Sequence, residues 1–161
     1  MLRLVGSMRE SRVQAATFLV AASDGHSEAK VASLARERGW RGWRVVRVPR
    51  SREVGQSYAT SVLTTLWALL WCLGVVARER PHVVLLNGPG TCLPVAFWAR
   101  VLGTLPGVPS PHVLFVESIA RVRELSLTGR LLLRLRLATR VFGQWDEIVE
   151  REGVEAIPRL Y

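Results

Sequence analysis

The sequence predicts an α/β protein built on a doubly wound parallel sheet, and three observations carry that prediction. Short apolar runs of strand length alternate with helical stretches along the whole chain. One such run, His82-Val83-Val84-Leu85-Leu86, passes directly into Asn87-Gly88-Pro89-Gly90-Thr91, a glycine turn of the kind found at the carboxyl edge of a parallel sheet. A second run, His112-Val113-Leu114-Phe115-Val116, delivers Glu117 and Ser118 to the same edge. At 161 residues and 49% hydrophobic content the chain is long enough for one core and too short for two, so one domain over 1–161 is expected.

The elements follow in order. Residues 15–22 form an apolar run that predicts the first strand, followed by the polar loop Ser23-Asp24-Gly25-His26-Ser27 and a helix over about 28–38. Trp43-Arg44-Val45-Val46-Arg47-Val48 is the second strand, stopped by Pro49, which has no N–H to give to a ladder. After Arg50-Ser51-Arg52-Glu53 a long apolar helix spans about 58–79, and Pro81 separates it from the strand at 82–86. Thr91 stands where it could cap a helix over 92–102. Two glycines and three prolines make 103–111 a loop before the strand at 112–116. A helix rich in Leu and Arg over 127–137, a short strand over 139–142 and a helical turn over 146–151 complete the series.

Residues 61–77 carry no charge and include Trp67 and Trp71. Seventeen such residues fall short of the roughly 20 needed to span a bilayer. Three readings stay open: a buried helix, a helix packed on the sheet with its other face among lipid headgroups, and a true span. The net charge of +9 rests on arginine, since Lys30 is the only lysine, and mean hydropathy is +0.20. Basic and apolar together point to a membrane surface or an anionic ligand, set against a plain solvated basic face. No zinc-finger spacing, aromatic RNA-binding pattern or helix-turn-helix signature occurs, so no nucleic-acid partner is expected, and no metal or cofactor either. Cys72 and Cys92 lie in apolar or helical settings, which predicts buried thiols and a reducing compartment. Residues 1–7 are too short for a signal peptide.

At the predicted sheet edge, Gly88 and Gly90 allow positive φ and close backbone approach, and the helix beginning after Thr91 offers N–H groups to an anion. An empty strand-to-helix turn has the same pattern.

Four separated motifs make the reading more specific. They are Val48-Pro49-Arg50-Ser51-Arg52-Glu53-Val54 with Gln56-Ser57, the run from Pro81 through Asn87-Gly88-Pro89-Gly90-Thr91-Cys92, Val116-Glu117-Ser118-Ile119-Ala120-Arg121-Val122 leading to Leu125-Ser126-Leu127-Thr128-Gly129, and Gln144-Trp145. In this order they resemble the asparagine-linked glycosylation protein 14 family, the membrane-anchoring subunit of a two-part UDP-N-acetylglucosamine transferase. The resemblance covers roughly 45–161, with a fainter match before it. It implies a Rossmann-like parallel sheet, the N-terminal, acceptor-side half of a GT-B glycosyltransferase. A separate soluble catalytic subunit is implied as partner, holding UDP-N-acetylglucosamine. The pair would add the second N-acetylglucosamine to dolichol-diphosphate-N-acetylglucosamine at the cytosolic face of the endoplasmic reticulum membrane.

Such an acceptor gives the candidate residues their roles. Asn87, Gly88, Gly90, Thr91 and Ser118 would meet the diphosphate head, with Arg50, Arg52, Arg121 and Arg123 supplying charge through arginine's planar fork. Glu117 would act as general base or orient the acceptor hydroxyl; alternatively it pairs with Arg121 or caps the following turn. Trp67 and Trp71 would touch the membrane, and Ile157, Arg159, Leu160 and Tyr161 the catalytic partner. The family's opening anchor helix, first strand and Gly-Ser-Gly-Gly-His-Thr loop are not found in register. Met1-Leu2-Arg3-Leu4-Val5-Gly6-Ser7 resembles the helix after that loop, so a sheet lacking its first strand is expected. His26 is then a solvent-facing loop residue. The alternatives are a subunit of a bacterial-type exopolysaccharide glycosyltransferase and a non-functional truncated fragment.

Overall fold

Eleven elements alternate among the described residues, ten of them those the sequence predicts, in a computed structural model that describes Val5 and residues 15–22, 24–40, 42–49, 58–88 and 90–158. The strands are β1 (Ala16–Ala21), β2 (Trp43–Val48), β3 (Val83–Asn87), β4 (His112–Val116), β5 (Arg140–Gly143) and β6 (Glu155–Ala156). The helices are α1 (Gly25–Glu37), α2 (Tyr58–Glu79), α3 (Cys92–Leu102), α4 (Leu127–Arg134) and α5 (Asp146–Glu152). Every strand pairing is parallel.

The predicted single sheet is divided in two. β1 and β2 pair from Ala16 opposite Trp43 to Ala21 opposite Val48, while β3-β4-β5-β6 form a separate four-stranded sheet. No ladder joins β1 to β3 among the described residues, and side chains connect the two pieces instead. Thr17 Oγ1 donates to Glu79 Oε2 at 2.7 Å, and the Arg44 guanidinium pairs with the same carboxylate at the end of α2. Leu19 of β1 packs against the core of the larger sheet.

Local chemistry explains where the boundaries moved. α1 starts at Gly25 rather than near 28 because Asp24 caps it, its Oδ1 accepting from Ser27 N at 3.1 Å and its Oδ2 from Ser27 Oγ at 2.6 Å. α4 ends at Arg134, three residues early, where the chain turns through Arg136 at φ 52 and Leu137 N donates back to Leu132 O. β6, two residues long, gives too little pattern to read; Gly153 at φ 64 turns the chain into it from α5.

The core lies between the four-stranded sheet and its helices, centred on Ala96, Val113, Phe115, Leu132 and Ile148. Ala68, Cys72 and Val76 form the buried face of α2, whose partner helix is α3, and Trp98 Nε1 donates to Leu69 O at 2.7 Å to fix the pair. Gly143 leaves no slack beneath α5, since a Cβ there would stand 2.9 Å from Ile148 Cγ2.

Both cysteines are free and buried, as expected. Burial pushes the Cys72 thiol up to about 11 and the Cys92 thiol up to about 12. An unfolded thiol ionises near ~8.5. The folded state therefore holds its thiol protons longer, and the stability this confers is complete below the unfolded pKa and lost as pH rises toward the folded values. The thermal midpoint should fall between about pH 9 and 11, more steeply in the wild type than in a Cys72→Ala/Cys92→Ala double variant. Scanning fluorimetry across that range reads it, and equal slopes would contradict it.

Candidate functional site

Because the strands run parallel, β3, β4 and β5 release Asn87, Glu117 and Gln144 at one edge of the sheet. There the three side chains turn to the backbone of their neighbours. Asn87 Nδ2 donates to Val116 O at 3.0 Å, Gln144 Nε2 donates to Glu117 O at 2.8 Å, and Glu117 N extends the ladder to Phe142 O at 2.9 Å. Trp145 Nε1 donates to Ile119 O at 2.8 Å. In the sequence Gln144-Trp145 stands out as a motif without a role. Its position directly after β5, level with Asn87 and Glu117, was the available signal.

Glu117 is 1% exposed, and both of its carboxylate oxygens have backbone partners. Oε1 accepts from Ser118 N at 2.8 Å and Oε2 from Ser126 N at 2.7 Å. Hydrogen bonds to a charged group contribute roughly 1.5–3 kcal/mol each, and leaving such donors bare in the interior costs a similar amount. Of the alternatives open for Glu117, pairing with Arg121 is not made, and holding the following turn is the contact present. Gly129 makes room for it, since a Cβ there would lie 2.9 Å from Glu117 Oε2.

The glycine turn is partly as expected. Gly88 sits at φ 109, in the region that favours glycine, and Pro89 lies outside the described residues. Thr91 does not cap α3: its backbone is already helical at φ −60, ψ −21, and its side chain makes no cap hydrogen bond. An N-cap needs extended backbone to turn its oxygen onto the first N–H groups. Nor does α3 present a full set of donors, since Leu93 N donates to Gly90 O at 3.2 Å and Pro94 has no N–H. A negative ligand at this edge therefore depends more on side-chain charge than on the helix end. Cys92, first in α3, is buried beside Glu117, and its backbone partner is Asn87.

The edge thus gathers Asn87, Gly88, Gly90, Thr91, Glu117, Ser118 and Arg121. Ser118 is half-buried and Arg121 exposed, with no ion pair for Arg121 among the described residues. Arg123 turns toward Glu147, 3.8 Å away. Arg50, Arg52, Arg159, Leu160 and Tyr161 lie outside the described residues. Ile157 is half-buried and bonded through its N–H to Gly143 O at 3.0 Å.

Trp67 and Trp71 occupy the outward face of α2. Val62, Leu66 and Leu70 follow one another at helical spacing, as do Leu63, Trp67 and Trp71, and all six are exposed, Leu63 by 71% and Trp67 by 62%. The helix has the bounds the sequence predicts, Tyr58–Glu79, and within it Val62–Glu79, at mean hydropathy 1.5, is long and apolar enough to cross a membrane by length and composition. Its Ala68, Cys72 and Val76 face nonetheless packs in the core.

Comparison with known proteins agrees with this layout. Residues 1–157 match the family model described as "Oligosaccharide biosynthesis protein Alg14 like". The "UDP-N-acetylglucosamine transferase subunit ALG14" of Candida albicans is 36% identical over 151 residues, covering 94% of this chain and 67% of that protein. The rat protein of the same name is 38% identical over 157 residues, covering 93% of this chain and 71% of its own length. Among solved structures, MurG of Acinetobacter baumannii superposes with a TM-score of 0.54 at 16% identity, over 88% of this chain and 44% of that one. This chain spans less than half of MurG, and the likeness is one of fold, a Rossmann-like α/β unit with parallel strands. With a family match across nearly its whole length and the Asn87 and Glu117 motifs brought to one edge of such a sheet, the chain belongs to the Alg14 family.

Proposed function

We propose that this chain is the acceptor-side subunit of a UDP-N-acetylglucosamine transferase. With a soluble catalytic subunit that holds the nucleotide sugar, it adds the second N-acetylglucosamine to dolichol-diphosphate-N-acetylglucosamine on the cytosolic face of the endoplasmic reticulum membrane. The observation that carries this reading is the identity of the relatives, ALG14 subunits that align over 93–94% of the chain. The same observation disfavours the exopolysaccharide alternative.

In this transfer the acceptor hydroxyl attacks the sugar carbon bearing the nucleotide, the carbon–oxygen bond to the diphosphate breaks, UDP departs, and the hydroxyl's proton is released. The chain's part is placement. Gly88 lets the backbone approach the lipid diphosphate, Asn87, Gly90, Thr91 and Ser118 border it, and the exposed guanidinium of Arg121 meets its charge. Arg50 and Arg52 add charge from the segment after β2, and Ile157, Arg159, Leu160 and Tyr161 contact the catalytic partner. The exposed Trp67 and Trp71 face rests in the headgroup region, bringing the site to a substrate whose polyprenol tail never leaves the bilayer.

Reconstitution with the catalytic subunit tests the reading: N-acetylglucosamine should pass from UDP-N-acetylglucosamine to a lipid-diphosphate acceptor only when both proteins are present. Stable association without transfer would point to a non-functional fragment. Arg121→Ala should raise the acceptor KM about tenfold, the loss of one charged hydrogen bond, and leave the UDP-N-acetylglucosamine KM within about twofold. Replacing Trp67 and Leu70 by Glu should lower binding to anionic vesicles in a flotation assay by about tenfold or more. Undiminished flotation would remove α2 from the membrane contact.

A further inference from the structure

The segment from Glu117 to Ser126 is a loop whose two ends meet on one side chain, with Glu124 near its far end also paired to Arg130 and Arg151. The Glu117 carboxylate, at the end of β4, reaches across to Ser126 N, the first residue of the next structural unit, and also holds Ser118 N. Ser126 then caps α4, its Oγ accepting from Gly129 N at 3.1 Å, and Leu125 beside it is 1% exposed. A third point is fixed by Trp145, whose indole N–H holds Ile119 O. Inside these ties Arg121 N donates to Ser118 O at 2.9 Å, forming a turn that leaves Ile119, Ala120, Arg121 and Val122 exposed at the tip. A compact loop with closed ends and an exposed tip is a common place for binding residues.

We infer that Glu117 is a positioning residue: it clamps the loop that presents Ser118 and Arg121 to the acceptor, and its carboxylate takes no proton from the substrate. This deepens the functional proposal above and rests on it. A base for the acceptor hydroxyl must come within hydrogen-bond reach of it. The Glu117 oxygens are buried and already shared between two amides on opposite sides of the loop. Their position serves the loop, and the loop serves the substrate.

Glu117→Gln separates the two roles. The amide keeps the shape but has one accepting oxygen, so one of the Ser118 and Ser126 N–H groups loses its partner. In the reconstituted two-subunit enzyme, hydrogen exchange followed by mass spectrometry should show the peptide over 117–126 exchanging at least about tenfold faster than in the wild type. The acceptor KM should rise by a similar factor, while kcat, its pH profile and the UDP-N-acetylglucosamine KM stay within about twofold. Trp145→Phe provides the second arm, because it releases the loop at Ile119 with the carboxylate intact, and it should raise the acceptor KM in the same way. It also decides the matter if Glu117→Gln fails to fold. A collapse of kcat with a shifted pH profile and unchanged loop exchange would overturn the inference in favour of direct catalysis. Unchanged exchange and unchanged kinetics would overturn it outright. Should the wild-type pair transfer nothing, the functional reading falls, while the exchange of 117–126 still reports whether Glu117 holds the loop.

Discussion

A carboxylate buried to 1% exposure must find donors within its own neighbourhood, and much of the local sequence around Glu117 follows from that demand. The donors are two backbone amides eight residues apart, Ser118 and Ser126. Bringing both to one side chain folds the intervening segment outward and sets Leu125 into the core. It also fixes where α4 begins, and the helix must pass so close that position 129 has no space for a Cβ. From the other side Gln144 and Trp145 bond to the carbonyls of Glu117 and Ile119, so the ends of β4 and β5 are tied to the same loop. The Glu117 carboxylate thus joins the end of β4, the start of α4 and a surface loop, and Gln144 and Trp145 add the end of β5.

The alternation of elements was legible because each rests on a local cause: apolar runs of strand length, prolines at 49 and 81, glycines after β3. The common edge of Asn87 and Glu117 was legible for a related reason, since parallel strands release their carboxyl ends on one side. What the sequence left open depends on contacts between distant residues. Nothing in Val116-Glu117-Ser118 says whether the carboxylate points to solvent or back to Ser126. The failure of Thr91 to cap α3 depends on a backbone already helical one residue early. The break between β1 and β3 is likewise invisible, because apolar periodicity predicts strands and says nothing of which edges meet.

Helix α2 shows the same division between composition and placement. Its uncharged run was compatible with burial, interfacial contact or a span, and the pattern of exposure resolves it into two faces. Small and medium side chains at Ala68, Cys72 and Val76 pack inward, where α3 approaches closely. The large ones at Leu63, Trp67 and Leu70 turn out. A helix apolar all round can therefore be sided by volume where it is not sided by polarity.

Among the described residues the small sheet meets the rest of the molecule through Thr17, Arg44 and Glu79 and through the packing of Leu19 on the core, side chains standing where a ladder would supply main-chain bonds. Cooperativity passes between parts of a protein in proportion to the interactions they share. Joined by side chains rather than by a shared ladder, the β1-α1-β2 unit has no main-chain strand pairing with the four-stranded sheet among the described residues. The order of the N-terminal strand pair and the order of the Asn87 and Glu117 edge thus rest on different sets of bonds.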